Sequence, residues 1–150
     1  MSHFRILLIE DNSRDVELVQ LALEESAIDH TLNVETDGEA ALRHLKDYSP
    51  RPDLVLLDLN IPKYNGLEVL KEIRKNPRLR ALPVIILTNS NSQEDVRKAY
   101  ATGCNAYIRK PLGFDALQKT VEVIQLFWCN VATLPPRPDS IPPSDPRREE

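Results

Sequence analysis

Side chains that can do chemistry stand at the ends of four short apolar runs in this 150-residue chain. Glu10 and Asp11 follow the first run, Asp58 ends the third, Thr88 ends the fourth, and Lys110 follows the fifth. If these runs are parallel strands of one sheet, their ends meet at one edge, which is where open α/β folds bind ligands. Three carboxylates, a hydroxyl and an ammonium group would then lie together.

Clustered carboxylates repel one another, which raises their proton affinity unless a cation lies among them. Mg²⁺ prefers oxygen ligands and is commonly shared with a phosphoryl group, and we place no Cys or His at this edge to suggest zinc or copper. Next to Mg²⁺, Asp58 can act as a nucleophile toward phosphorus, while Lys110 and Thr88 donate to the phosphoryl oxygens. We assign the nucleophile to Asp58 because it is central, and metal binding to Glu10 and Asp11.

The elements that must position these residues alternate between strands and helices. Helical spacing of apolar residues separates the runs, with turn dipeptides at Asp37-Gly38 and Asn65-Gly66, a cap at Ser92 and a helix stop at Gly103. The pattern predicts an α/β fold with a doubly wound, five-stranded parallel sheet. The predicted strands are Phe4–Ile9, His30–Glu35, Asp53–Asp58, Pro83–Thr88 and Ala106–Arg109.

Charge and composition exclude several classes of protein. The net charge of −4 argues against nucleic-acid and membrane-surface binding, and no apolar run approaches the ~20 residues of a membrane helix. The start of the chain lacks a signal peptide, so we expect a soluble cytoplasmic protein. Six of the twelve prolines fall after residue 134. We therefore predict a folded domain over residues 1–130 and a flexible, Pro-rich tail over residues 131–150.

As a set, these residues resemble the receiver domain of two-component response regulators, over about Phe4 to Trp128. The family has the flavodoxin-like fold with strand order 2-1-3-4-5. The residues that carry the resemblance are Glu10-Asp11, Asp58-Leu59-Asn60-Ile61-Pro62 with Gly66, Thr88, and Lys110-Pro111.

The resemblance implies a role for each matching residue. Asp58 is the expected phosphoacceptor, and Thr88 and Lys110 contact the phosphoryl group. The resemblance implies that Mg²⁺ is bound by Glu10, Asp11, Asp58 and the backbone carbonyl of Asn60. Tyr107, three residues before Lys110, matches the aromatic switch that turns inward when Thr88 moves. The implied phosphodonor is a sensor histidine kinase, and the protein is a signalling relay, not an enzyme, apart from autocatalytic phosphorylation and dephosphorylation.

A finer likeness is to the small stand-alone response regulators of cyanobacterial and bacterial phytochromes. These share Asp15, the Thr-x-Ser sequence ending at Ser90, and a last helix ending in Phe127-Trp128. The likeness implies a phytochrome as the kinase. We also predict a homodimer through the fourth and fifth helices and the fifth strand, with Phe127 and Trp128 in the interface and the segment after Trp128 crossing to the other subunit.

Two other functions remain open at this point. A haloacid-dehalogenase-like phosphatase also uses an aspartyl nucleophile, but it needs a second Asp two residues later, where this chain has Asn60. A phosphorylation-independent adaptor with a receiver fold is the other alternative. Asn89 and Ser90 also depart from most receivers, and we expect them to alter the lifetime of the phosphoryl group.

Overall fold

The computed structural model describes residues 3–47 and 50–136. It contains one sheet of five parallel strands in the order β2-β1-β3-β4-β5. The strands are β1 Phe4–Ile9, β2 His30–Glu35, β3 Leu54–Leu57, β4 Val84–Thr88 and β5 Ala106–Arg109. The predicted topology is confirmed. Two strands are shorter than predicted: β3 by one residue at each end, and β4 by one residue at its start.

Helices cover both faces of the sheet. They are α1 Ser13–Glu24, α2 Gly38–Asp47, α3 Gly66–Lys75, α4 Gln93–Thr102 and α5 Phe114–Gln125, which continues into a π-helix, Leu126–Val131. Polar caps fix where the helices begin: Asn65 and Glu68 form a capping box at α3, and Ser92 caps α4. Gly103, with a φ of 120°, ends α4 as predicted.

The core is divided by the sheet into two apolar layers. In β3, whose four residues are all buried, Val55 and Leu57 face the layer under α2, α3 and α4, while Leu54 and Leu56 face the layer under α1 and α5. Side chains alternate between the faces of a strand, so a strand buried on both faces is apolar throughout. This explains why an unbroken apolar run precedes Asp58.

The chain keeps contacts with the domain for a few residues past residue 130, the predicted boundary. The π-helix continues to Val131, Leu134 packs against the α1–α5 layer, and Nη2 of Arg51 donates to the carbonyl of Pro136 at 3.5 Å. The segment expected to cross to a second subunit thus packs on its own domain up to residue 136. Residues 137–150, most of the predicted tail, lie outside the described residues.

In the described part of the chain, every helix is too short or too polar to cross a lipid bilayer.

Candidate functional site

The carboxyl ends of the strands place the candidate residues at one edge of the sheet. Glu10 follows β1, Asp58 follows β3, Thr88 ends β4 and Lys110 follows β5. Backbone hydrogen bonds hold these ends in register, from the Asp58 N–H to the Ile9 carbonyl (3.0 Å) and from the Lys110 N–H to the Thr88 carbonyl (2.7 Å). The predicted convergence is therefore present for these four side chains.

Asp58 is buried, with 6% of its surface exposed, and both of its carboxylate oxygens accept hydrogen bonds. Oδ1 accepts from the Thr88 hydroxyl at 2.7 Å and from the Asn60 backbone N–H at 3.1 Å. Oδ2 accepts from the Lys110 ammonium at 2.9 Å. Hydroxyl, amide and ammonium donors thus surround a single carboxylate, an arrangement that stabilises negative charge.

A glycine allows the start of α3 to pack directly behind Asp58. A Cβ on Gly66 would lie 2.4 Å from the Asp58 carbonyl oxygen and 2.6 Å from the Cα of Leu59. Real atoms do not approach this closely, so a larger residue would push the β3–α3 loop away from the site. The glycine in the sequence motif therefore has a steric role, which is to hold the loop that carries Asn60 against Asp58.

Lys110 contacts three carboxylates at once. Its ammonium lies 2.6 Å from Oε1 of Glu10, 2.7 Å from Oδ2 of Asp15 and 2.9 Å from Oδ2 of Asp58. An ammonium has three N–H donors, so these three partners use all of them. One positive charge here faces three acidic groups, and the Lys110 side chain is only 10% exposed.

The pKa values in the site reflect burial together with the hydrogen bonds between Lys110 and the carboxylates. Burial raises the pKa of Glu10 to about 7, and the nearby charge of Asp58 acts in the same direction against the hydrogen bond from Lys110. Burial also favours the neutral form of Asp58, but hydrogen bonds from Lys110 and Thr88 outweigh it and hold the Asp58 pKa below its usual value. Burial alone would lower the pKa of Lys110, yet its hydrogen bonds to carboxylates raise it. Asp58 and Lys110 are therefore charged at neutral pH, whereas Glu10 titrates there.

Asp15 is a site residue that the sequence did not assign to the constellation. It lies in the first turn of α1, where its backbone N–H donates to the side chain of Asn12, the N-cap, at 2.9 Å. The cap orients the first turn of α1 so that the Asp15 carboxylate reaches Lys110. The available signal was the position of Asp15 in a helix that begins at the edge carrying Glu10.

The predicted metal ligands are only partly assembled. Carboxylate oxygens of Glu10 and Asp58 accept hydrogen bonds from the same ammonium, whereas the Asp11 side chain is exposed. Within residues 3–47 and 50–136, no group of three His, Cys, Asp or Glu side chains forms a ready-made metal site. The atoms available to a metal ion are carboxylate oxygens, and the acidic groups outnumber the single ammonium. Both features fit a hard divalent cation such as Mg²⁺.

The residues predicted to form a switch are connected to the site. Thr88, which is fully buried, donates to Asp58, and Tyr107 packs against the layer under α2, α3 and α4. The Tyr107 hydroxyl donates to the Ser90 backbone carbonyl, two residues after Thr88, at 3.0 Å. Tyr107 is therefore turned inward, toward the loop that follows β4.

The sequence model described as "Response regulator receiver domain" matches residues 6–122, most of the folded chain. The chain belongs to this receiver family. Among its relatives, response regulator Rcp1 of Synechocystis sp. is 45% identical over 135 residues, 87% of this chain and 92% of Rcp1. The probable methanogenesis regulatory protein FilR2 of Methanothrix harundinacea is 43% identical over 129 residues, covering 83% of each chain.

Solved structures of receivers agree with the fold. Phosphorylated RcpA, a cyanobacterial phytochrome response regulator, superposes with a TM-score of 0.86 at 39% identity, over 90% of this chain and 100% of RcpA. The Mn²⁺-bound form of Rcp1 gives a TM-score of 0.83 at 44% identity, over 89% of this chain and 99% of that one. Members of this receiver group therefore exist in a phosphorylated form and in a form with a bound divalent metal ion.

Proposed function

We propose that this receiver accepts a phosphoryl group from a sensor histidine kinase on Asp58. The observation that carries the proposal is the environment of Asp58, a buried carboxylate held between the Thr88 hydroxyl and the Lys110 ammonium. Such an environment keeps the carboxylate ionised, as a nucleophile must be. It also places two donors where the oxygens of an incoming phosphoryl group need them.

The transfer forms a bond between a carboxylate oxygen of Asp58 and phosphorus, while the bond from phosphorus to the kinase's histidine nitrogen breaks. The imidazole leaves with the electron pair and takes up a proton. Lys110 and Thr88 exchange their hydrogen bonds with Asp58 for hydrogen bonds to the phosphoryl oxygens. Phosphoryl transfer needs mainly alignment and charge stabilisation from the protein, and these donors supply both.

A divalent cation, Mg²⁺ in the cell, completes the site in this proposal. Glu10, Asp11, Asp58 and the backbone carbonyl of Asn60 would hold it, and it would neutralise charge on the phosphoryl oxygens. Support comes from the oxygen-only donor set and from the Mn²⁺-bound relative. Since the same residues perform transfer and slow hydrolysis, the protein is a phosphoacceptor with autodephosphorylation, and not a metabolic enzyme.

The experiment that tests the proposal is incubation with acetyl phosphate and Mg²⁺, followed by mass mapping of the added group. We expect one phosphoryl group on Asp58, none in Asp58→Asn, and normal labelling in Asp115→Asn, a matched control at an exposed position in the first turn of α5. Labelling that persists in Asp58→Asn, or that is absent from the wild type, would contradict the assignment. A phosphorylation-independent adaptor would also give no labelling.

The kinase class follows from relatives and not from the site. We propose a phytochrome as the kinase, because RcpA is a phytochrome response regulator. We also propose the cytoplasm as the location. Identity to FilR2 is almost as high as identity to Rcp1, so sequence similarity alone does not decide between their pathways. The pathway is tested by comparing kinases. A purified cyanobacterial phytochrome kinase should phosphorylate this chain faster than a kinase of another pathway, and equal rates would contradict the pathway.

An exposed apolar surface supports a homodimer through α4, β5 and α5. Around the end of α5, Val123 is 65%, Leu126 54% and Phe127 47% exposed, and the Phe127 ring meets Trp128 edge-on at 5.1 Å. Trp128 itself packs partly on the α1–α5 layer, so Phe127 is the more accessible of the two. Phe127→Glu should give a monomer in sedimentation analysis, whereas Leu21→Glu, at an exposed position on α1, should not. A monomeric wild type at high concentration would refute the dimer.

A further inference from the structure

Helix α4 is attached at both of its ends to the residues around the switch. Near its start, Asp95 accepts a hydrogen bond from the Ser90 hydroxyl at 2.6 Å. Near its end, the hydroxyl of Tyr100 accepts a hydrogen bond from the Tyr107 backbone N–H at 3.1 Å. The first bond ties α4 to the loop after β4, and the second ties it to β5.

These bonds close into a ring together with the inward orientation of Tyr107. The Tyr107 hydroxyl donates to the carbonyl of Ser90, whose own hydroxyl donates to Asp95. Asp95 and Tyr100 are joined by α4, and Tyr100 returns to the Tyr107 backbone. In a ring of this kind each hydrogen bond helps to hold the groups that form the next, so the position of α4 and the orientation of Tyr107 are coupled.

The Tyr100 hydroxyl has a specific acceptor role at the edge of the sheet. β5 is an edge strand, and the Lys110 N–H points inward to the Thr88 carbonyl. Because N–H directions alternate along a strand, the Tyr107 N–H, three residues earlier, points outward, where no strand pairs with it. Tyr100 is 51% exposed, so packing alone does not hold its side chain there, and its hydroxyl accepts from this open donor.

We propose that Tyr100 is a positioning residue of the switch, whose hydroxyl couples α4 to Tyr107. The inference rests on the proposed function, because the ring stabilises the inward Tyr107 that a phosphorylated Asp58 favours. Opening the ring at Tyr100 allows Tyr107 to leave its inward position and α4 to shift. Binding of the phosphoryl group, or of an analogue, must then also bring Tyr107 back inward, which lowers the affinity relative to the wild type.

The test uses the full chain with Mg²⁺ and beryllofluoride, a phosphoryl analogue, in calorimetric titrations. Tyr100→Phe keeps the ring and removes only the hydroxyl, and one net hydrogen bond predicts binding weaker by about two- to tenfold. The matched control is Tyr64→Phe, a half-exposed tyrosine whose hydroxyl has no hydrogen-bond partner among the described residues. Tyr64→Phe should bind beryllofluoride as the wild type does.

A double-mutant cycle separates coupling from a general loss of packing. Tyr107→Phe opens the same ring at another bond, so Tyr100→Phe should have little further effect on beryllofluoride binding in that background. Fully additive losses, or wild-type affinity in Tyr100→Phe, would overturn the role of Tyr100 while leaving the proposed function intact. A wild type that binds no beryllofluoride would instead overturn the proposed function, and this inference with it.

Discussion

Glu10 is predicted to destabilise the folded protein above neutral pH. It is 2% exposed, and burial raises its pKa from 4.5 to about 7. Between these two pH values the unfolded chain has an ionised Glu10 while the folded chain keeps it protonated. Unfolding therefore releases a proton in this range, and stability falls as pH rises from about 4.5 to 7.

The size of the effect follows from the pKa difference. A shift from 4.5 to about 7 corresponds to about 3 kcal/mol, since one pKa unit is about 1.4 kcal/mol. Glu10→Gln replaces the carboxyl with a neutral group of the same shape that still accepts from Lys110. We expect the variant to gain about 3 kcal/mol relative to the wild type on going from pH 4.5 to pH 8.

The assay is urea unfolding without divalent metal, followed by circular dichroism, for wild type and variant at each pH. Glu17→Gln, at an exposed position on α1, is the matched control for loss of a carboxylate. Saturating Mg²⁺ should remove the advantage of Glu10→Gln at pH 8, because an ionised Glu10 then gains a partner. A difference between Glu10→Gln and wild type that stays the same from pH 4.5 to pH 8 would refute the reasoning.

Three further substitutions have specific expected outcomes. Leu112 is 95% exposed and lies two residues after Lys110. We expect a kinase that reaches Asp58 to bury this side chain, so Leu112→Ser should slow transfer from the kinase about tenfold in a rate assay but leave labelling by acetyl phosphate unchanged. Ser90→Ala removes the hydrogen bond to Asp95 and loosens the loop between β4 and α4. The half-life of the phosphoprotein should therefore fall about fivefold. An unchanged half-life would contradict this. Arg74 donates to the carbonyls of residues 80, 82 and 103 and to the side-chain oxygen of residue 105. A lysine cannot reproduce this forked set of donors, so Arg74→Lys should lower the free energy of unfolding in urea by about 2 kcal/mol. A wild-type unfolding midpoint would contradict this.

The fold could be predicted because its signals are local. β3 is apolar on both faces, which identified it as a central strand, and the residue that follows such a strand must lie at the ligand-binding edge. Helix caps such as Asn65 and Ser92 fixed where helices begin. The position of Asp58 followed from these two signals before any contact was known.

The parts that could not be predicted depend on how the helices are rotated about their axes. Asp15 reaches Lys110 and Tyr100 reaches β5 only because α1 and α4 present those faces to the site, which no residue spacing specifies. The π-helix after Gln125 could not be predicted either. Its i→i+5 hydrogen bonds are rare in proteins, and the apolar spacing used to predict helices assumes the α-helical period. This π-helix runs to Val131, next to the boundary predicted at residue 130.

The unfavourable balance of charge around Lys110 and the hydrogen-bonded ring through Tyr100 together make a switch feasible. Ionising Glu10 in its buried position is unfavourable by about 3 kcal/mol, which a nearby cation can relieve. Coupling between two sites in a protein is typically about 1–3 kcal/mol, the same range. Ligand binding at the site can therefore supply enough free energy to change the position of Thr88, and through Tyr107 that of α4. A site fully neutralised by a second lysine would fold more stably, but it would have little free energy left to move the helix.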